Sequence, residues 1–268
     1  MKCKCIRLYI VRSLKMYIRM LIFLDLLEDF MKSLMKSIIG LLGELTKTEK
    51  IIWISSITLI VLSFMIFDRE NYLTLSASLL GAASLIFSAK GNPAGQVLMI
   101  IFSVLYGMIS YTFEYYGEMI TYLGMTAPMA VGALISWLRN PFSSASSEVR
   151  VNSLKRREIF FMLLLTAVVT LIFYFILKAF DTPNLIPGTL SVSTSFAAVY
   201  LTFRRSAFFA AAYAMNDIIL IILWTLAALE DISYISVIVC FAVFLVNDIY
   251  GCISWRKMQK RQSAASGV

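Results

Sequence analysis

"TLSASLLGAASLIFSAKG", Thr74 to Gly91, returns with changes as "TLSVSTSFAAVYLTFRRS", Thr189 to Ser206. Thr, Leu, Ser, Ser, Ala and Ala coincide at a constant spacing of 115 residues. Two apolar stretches further on, "ALISW" ending at Trp137 meets "GCISW" ending at Trp255, a spacing of 118. Coincidence within a small apolar alphabet is the competing account. Taken as a repeat, the match dictates an architecture. Three membrane-crossing helices end on the side opposite to their start, so two triplets joined directly would be upside down relative to each other. One intervening helix restores the direction, giving parallel repeats about an axis along the membrane normal, with substrate sites near mid-membrane where the repeats meet.

Composition agrees with a membrane protein. Of 268 residues, 60% are hydrophobic and only 15% charged, and the mean hydropathy is +0.81, whereas a soluble domain carries far more charge. Eight apolar stretches are long enough to cross a bilayer: Ile51 to Phe67, Leu73 to Ala89, Ala94 to Phe113, Glu118 to Leu138, Glu158 to Leu177, Pro187 to Phe203, Ala207 to Leu229 and Ile232 to Trp255. The repeat then falls on spans two to four and six to eight, with span five as the inversion helix and span one outside this 3+1+3 core.

Charge sets the orientation. With alternating sides, 22 of the 24 Lys and Arg fall on one face and only Arg69 and Lys178 on the other, so both termini are expected in the cytoplasm. The net charge of +8 is that of a lipid-facing inner surface and asks for no nucleic acid. The predicted segments are 1–48, an amphipathic helix on the inner leaflet; 49–70, the extra span; 71–139, the first bundle; 140–182, a loop and the linker helix; 183–256, the second bundle; and 257–268, a cytoplasmic tail. Arginines and Lys15 interrupt the N-terminal apolar run, which argues against a secretory signal; Met16, Met20 and Met31 are alternative candidate starts.

Several chemistries are absent. The chain has no histidine, which removes His-based zinc sites, catalytic dyads and proton relays. No Gly-x-x-x-x-Gly-Lys-Ser/Thr loop points to ATP. Cys3, Cys5, Cys240 and Cys252 lack the spacing of a disulfide framework or metal knuckle. No cofactor and no metal are expected.

The polar residues inside the spans carry the candidate site. Asn216-Asp217 and Asn247-Asp248 lie in spans seven and eight, where each acid costs about 2.5–3.5 kcal/mol to insert. Tyr213, Asp217 and Trp224 share nearly one helical face, and Asn247, Tyr250 and Ser254 another. Aromatic walls bordered by amide and carboxylate groups suit a flat, polar ring, neutral or cationic, such as a heterocycle with a sugar. Interhelical glue is the structural alternative. The first repeat offers Tyr106, Tyr111, Glu114, Glu118 and Tyr122; the two glutamates flank an outward connector, where a solvated-loop role competes with an entrance role. Gln96 is expected at the interface. Trp137 and Trp255, each near arginine, read as interface anchors.

"NPAGQ", "SVLYGMISY", "YYGEMITYLGMTAP", "ISWLRNP", "YAMNDIILIILW" and "NDIYGCISW" together resemble the PnuC family of nicotinamide riboside transporters, over roughly Ile51 to Arg261. The resemblance implies an all-α fold similar to SWEET sugar transporters, in a bacterial inner membrane. It implies facilitated diffusion of a vitamin-type nucleoside by alternating access, metabolic trapping by a cytoplasmic kinase, a homotrimer, and no enzymatic activity. The family motif Trp-x-x-Trp-x-x-x-Asn/Asp is thinned. Ending it on Asn216 puts Phe209 and Ala212 at the Trp positions; ending it on Asp217 puts Ala210 and Tyr213 there. The same fold carrying thiamine, riboflavin or a deoxynucleoside is the near alternative, and an integral-membrane enzyme with metal-bound aspartates, or a scaffold, the distant one.

Overall fold

The computed structural model describes residues 40, 43, 45–112, 115–143 and 147–265. Most of the predicted amphipathic segment 1–48, and Glu114, lie outside them. Among the described residues, eight helices are long and apolar enough to cross a membrane: α1 (Lys47–Phe67), α2 (Tyr72–Ala89), α3 (Ala94–Thr112), α4 (Tyr116–Leu138), α5 (Arg156–Ala179), α6 (Leu185–Phe203), α7 (Phe209–Ala228) and α8 (Ile235–Ala265), the last entered through a short turn at Ile232–Tyr234. The shortest, α2, has 18 residues and so covers about 27 Å, close to the hydrocarbon thickness.

Local chemistry ends each helix where it does. Asn71 caps α2 by accepting from the Thr74 N–H at 3.2 Å. Gly91, at φ +68°, reverses the chain after α2, and Pro93 then blocks its continuation. Gly95 lets α3 start hard against α2, because a Cβ there would sit 2.4 Å from Ser88 Oγ and 2.8 Å from the Ser84 carbonyl oxygen. Gln96 is buried in this contact and donates to Ser88 Oγ, rather than lying at the interface.

Helix α2 packs on α3 and α8, α3 on α4, α4 on α6, and α7 on both α6 and α8. α5 packs on α6, where Thr170 and Ser193 share a 2.7 Å hydroxyl contact. Phe160, Phe161, Leu163, Leu164, Leu171 and Phe175 on α5 stay exposed, the face a peripheral helix offers to lipid.

At the end of the bundle where Arg139, Arg204, Arg205 and Arg256 gather, called here the basic end, two matching contacts tie the helices together. Ser136 and Trp137 of α4 donate to the Phe203 and Thr202 carbonyls of α6, both at 2.9 Å. Ser254 and Trp255 of α8 donate to the Ala89 and Ser88 carbonyls of α2, at 2.8 and 2.7 Å. The Ser88 and Thr202 carbonyls already accept from the Gly91 and Arg205 N–H groups at 2.9 and 3.0 Å and take the indoles as second donors, whereas the Ala89 and Phe203 carbonyls at the helix ends gain their partners from the serine hydroxyls. The two indoles meet at 5.3 Å between centroids and are 1% and 0% exposed. They are therefore not interface anchors: carbonyls in the last turn of a neighbouring helix hold them at the centre. Arg205, in a left-handed conformation at φ +53°, braces one clamp by donating to Ser136 Oγ at 2.6 Å; burial, then Arg204 and Arg150, pushes its pKa below the usual arginine value.

Helix α8 does not stop near Trp255. It runs on through "RKMQKRQSAA", all tolerable helix formers without Gly or Pro, and the segment predicted as a tail is thus helical as far as Ala265. Met258 and Gln262 are buried, and Gln262 accepts from the Val151 N–H at 2.8 Å and donates to the Val149 carbonyl at 3.0 Å. The extension is a platform for the loop between α4 and α5.

The clamps make a stability prediction. Trp255→Phe keeps most of the ring and removes one buried hydrogen bond, and is expected to cost about 1 kcal/mol. Trp255→Ala also opens a cavity and should cost about 3–5 kcal/mol. Thermal unfolding of the purified protein in detergent measures both, and equal tolerance of the two substitutions would contradict the clamp.

Candidate functional site

Midway along the bundle, six helices close around a cavity of about 30 Å³, room for one or two waters. On α7, Tyr213 and Asp217 stand one turn apart with Asn216 beside them; on α8, Phe241, Phe244 and Asp248 follow a seven-residue helical stripe. α6 contributes Ser195, and Leu85 and Met99 come from α2 and α3. On α4 the regular helix is interrupted at Thr121–Thr126 by a wider π turn ahead of Pro128, and Tyr122 and Thr126 of that turn reach the cavity.

The polar groups have distinct environments. Asn216 Oδ1 accepts from Thr194 Oγ1 at 2.8 Å and Ser195 Oγ at 3.0 Å, so this amide ties α7 to α6 while bordering the cavity. The Asp217 and Asp248 carboxyl groups face each other across the α7–α8 interface, close enough to interact, and both residues are buried. Asp217 Oδ2 has no hydrogen-bond partner. Neither acid pairs with a lysine or arginine among the described residues. Two acids and no cation make the cavity wall electronegative inside a low-dielectric bundle, which favours a positively charged ligand. No third Asp, Glu, His or Cys joins them into a metal-holding group among the described residues.

The cavity is closed on both sides by aromatic rings. Toward the basic end, Phe209 packs on Trp255 at 4.7 Å and on Trp137 at 6.3 Å. Toward the opposite end, Tyr106 packs on Tyr122 at 4.4 Å and on Trp224 at 6.3 Å, and Trp224 lies between Tyr115 at 4.9 Å and Tyr234 at 5.4 Å. Tyr115, in the connector before α4, has its phenol pushed up to about 12, chiefly by burial.

Of the sequence candidates, Tyr122, Tyr213, Asn216, Asp217 and Asp248 meet at the cavity. Tyr106 and Trp224 form the closure beyond it. Asn247 turns away: its Nδ2 donates to Ser56 Oγ of α1 at 2.9 Å and to the Val243 carbonyl at 2.8 Å. Tyr250 is half-buried and does not line the cavity. Glu118 is buried rather than solvated, and Tyr111 is exposed. Phe241 and Phe244 were missed, although their spacing of seven and four residues before Asp248 is a signal the sequence carries. Leu85, Met99 and Ser195 have no such signal, since only packing brings them to the acids. Of the two motif registers, the one ending on Asp217 places its aromatic, Tyr213, on the cavity, whereas Phe209 of the other belongs to the closure below.

The chain matches the family described as nicotinamide mononucleotide transporter over residues 71–257. It is 24% identical over 202 residues to the nicotinamide riboside transporter PnuC of Neisseria mucosa, covering 74% of this chain and 77% of that protein. To the nicotinamide riboside transporter PnuC of Haemophilus influenzae it is 21% identical over 217 residues, covering 80% and 92%. The crystal structure of the vitamin B3 transporter PnuC has the same fold, with a TM-score of 0.71 at 23% identity over 82% of this chain and 94% of that one.

Glue and ligand site respond differently to substitution. Asn216→Ala strips the Ser195 hydroxyl of its acceptor and leaves Thr194 only the carbonyls of its own helix, and is expected to destabilise by about 1–3 kcal/mol. Asp217→Asn keeps the shape but removes an acid that lacks a cation partner, and should hold or raise stability by about 1 kcal/mol. Thermal unfolding distinguishes them; an equal loss for both would make Asp217 a structural residue.

Proposed function

The chain belongs to the nicotinamide mononucleotide transporter family, and from that premise we propose that this multi-pass membrane transporter takes up nicotinamide riboside by alternating access. The observation that carries the reading is the electronegative, aromatic-walled cavity at Asp217 and Asp248. Nicotinamide riboside is a cationic pyridinium ring bearing a carboxamide and a ribose. A pyridinium would sit over the faces of Tyr122 and Tyr213 with the acids neutralising its charge, while Asn216 and Ser195 offer hydrogen bonds to hydroxyl or amide groups. Both relatives named above are nicotinamide riboside transporters.

In this reading the basic end faces the cytoplasm of a bacterial cell, in line with the bias of Lys and Arg. α2–α4 and α6–α8 act as two parallel triplets joined by α5. The reciprocal Ser-Trp contacts, in which the third helix of each triplet holds the first helix of the other, support that division. Ligand must widen a cavity of about 30 Å³, so rocking of the triplets opens one aromatic closure at a time. Nothing in the site supplies an energy source, and the proposal is facilitated diffusion, with intracellular trapping by a kinase and assembly as a homotrimer.

Proteoliposomes loaded with buffer alone give the test. Labelled nicotinamide riboside should enter until inside and outside concentrations are equal, and an excess of unlabelled riboside should block entry. Accumulation above the outside concentration would rule out the energetic model. Thiamine is also a cation with an aromatic ring, and its displacing the label at far lower concentration than the riboside itself would replace the substrate.

A further inference from the structure

Glu118 lies one helical turn beyond Tyr122, on the side of the cavity away from the basic end. It is 3% exposed. Its Oε1 accepts from Ser191 Oγ of α6 at 2.8 Å, one turn beyond the Ser195 that binds Asn216. Its Oε2 has no partner, and neither oxygen has a cation beside it among the described residues. Tyr122 lies within electrostatic reach of both Glu118 and Asp217, so one aromatic ring separates the two acidic levels.

Glu118 is not the lone unsatisfied group at this level. The Ser110 hydroxyl, one turn from Tyr106 along the same face of α3, is buried without a hydrogen-bond partner, and the buried Tyr106 hydroxyl and Trp224 indole N–H have only each other. In a membrane bundle such groups normally find partners within the protein, because hydrocarbon provides none. Here a carboxyl oxygen and a hydroxyl are left open beside stacked aromatic rings, and the Tyr106 phenol keeps an O–H to donate beyond its contact with the indole. A ligand with positive charge, an aromatic face and hydroxyl or amide groups offers a partner for each of these.

We propose that this level is a second binding station for a cationic, hydroxyl-bearing heterocycle, with Glu118 selecting for charge and Tyr106 and Ser110 supplying hydrogen bonds. The station deepens the transport reading and rests on it: a ligand would engage Glu118 and the outer rings first and then pass Tyr122 to Asp217 and Asp248. Two acidic levels about one turn apart let a cation exchange one counter-charge for the next without being stripped of both. Ser191 fixes the carboxylate through Oε1 and leaves Oε2 for the ligand.

The test uses two ribosides that differ in ring charge, nicotinamide riboside and its reduced dihydro form, whose ring is neutral. In proteoliposomes of the full chain, their relative ability to compete with labelled nicotinamide riboside gives a charge preference. Glu118→Gln retains an acceptor for Ser191 and is expected to lower that preference about tenfold, the size of one close charge interaction. Tyr106→Phe deletes a buried hydroxyl and keeps the ring contacts, and is expected to raise the half-saturating concentration of both ribosides severalfold while leaving the charge preference in place. An active Glu118→Gln protein with unchanged preference overturns the station alone. Should Glu118→Gln not fold, an unaltered half-saturating concentration in Tyr106→Phe overturns it. Failure of the unsubstituted protein to take up either riboside removes the transport reading and the station with it.

Discussion

Hydrocarbon gives a protein no hydrogen-bond partner, and so each polar group in the bundle has to be satisfied by another part of the chain or by a ligand. The helices settle this for the interior of the backbone, but their last carbonyls stay open. At the basic end the chain closes two sets of these with the same dipeptide. Ser136-Trp137 covers the end of α6, and Ser254-Trp255 covers the end of α2. Because each pair reaches across to the other group of helices, the two groups cannot part at that end without exposing carbonyls and separating two indoles packed at 5.3 Å. The loop between α4 and α5 then follows the same logic: the Val149 and Asn152 N–H groups donate to the Gly91 and Arg205 carbonyls, in the turns that follow the clamped helices.

Among the buried side-chain atoms left without a partner, Asp217 Oδ2, Glu118 Oε2 and the Ser110 hydroxyl lie on or near the path between the central cavity and the end opposite the basic one. Their distribution is asymmetric. The basic-end closure is locked by hydrogen bonds to carbonyls, whereas the other closure relies on ring contacts and keeps its polar atoms open. Separating helices at the opposite end therefore breaks fewer hydrogen bonds, and a polar ligand arriving there would replace contacts that the protein does not make for itself.

The fold was largely legible before any coordinates. Spans of about eighteen apolar residues with breakers between them leave little choice in a bilayer, and seven of the eight observed helices begin and end within four residues of the expected positions. The exception, α8, runs ten residues past Trp255, because helix-forming polar residues continue the helix outside the apolar window and Met258 and Gln262 pack beneath the loop before α5. The tryptophans show a second kind of failure. A Trp beside Arg at a span's end reads as an interface anchor, and only the position of carbonyls in a neighbouring helix's last turn places Trp137 and Trp255 inward.

Residue chemistry and helical period by themselves determined that acids lie within the apolar spans, that Tyr213 shares a face with Asp217, and that two stretches of this chain match at a fixed spacing. Those are properties of one helix or of one comparison along the chain. Tertiary structure decided which acids meet. It joined Asp217 to Asp248, turned Asn247 toward Ser56, brought Ser195, Leu85 and Met99 to the cavity, and buried Glu118 against Ser191 instead of leaving it in a solvated connector. The reason is geometric: rotation of a helix about its axis, which the sequence constrains only to a broad face, is fixed to a single side chain when neighbouring helices interlock.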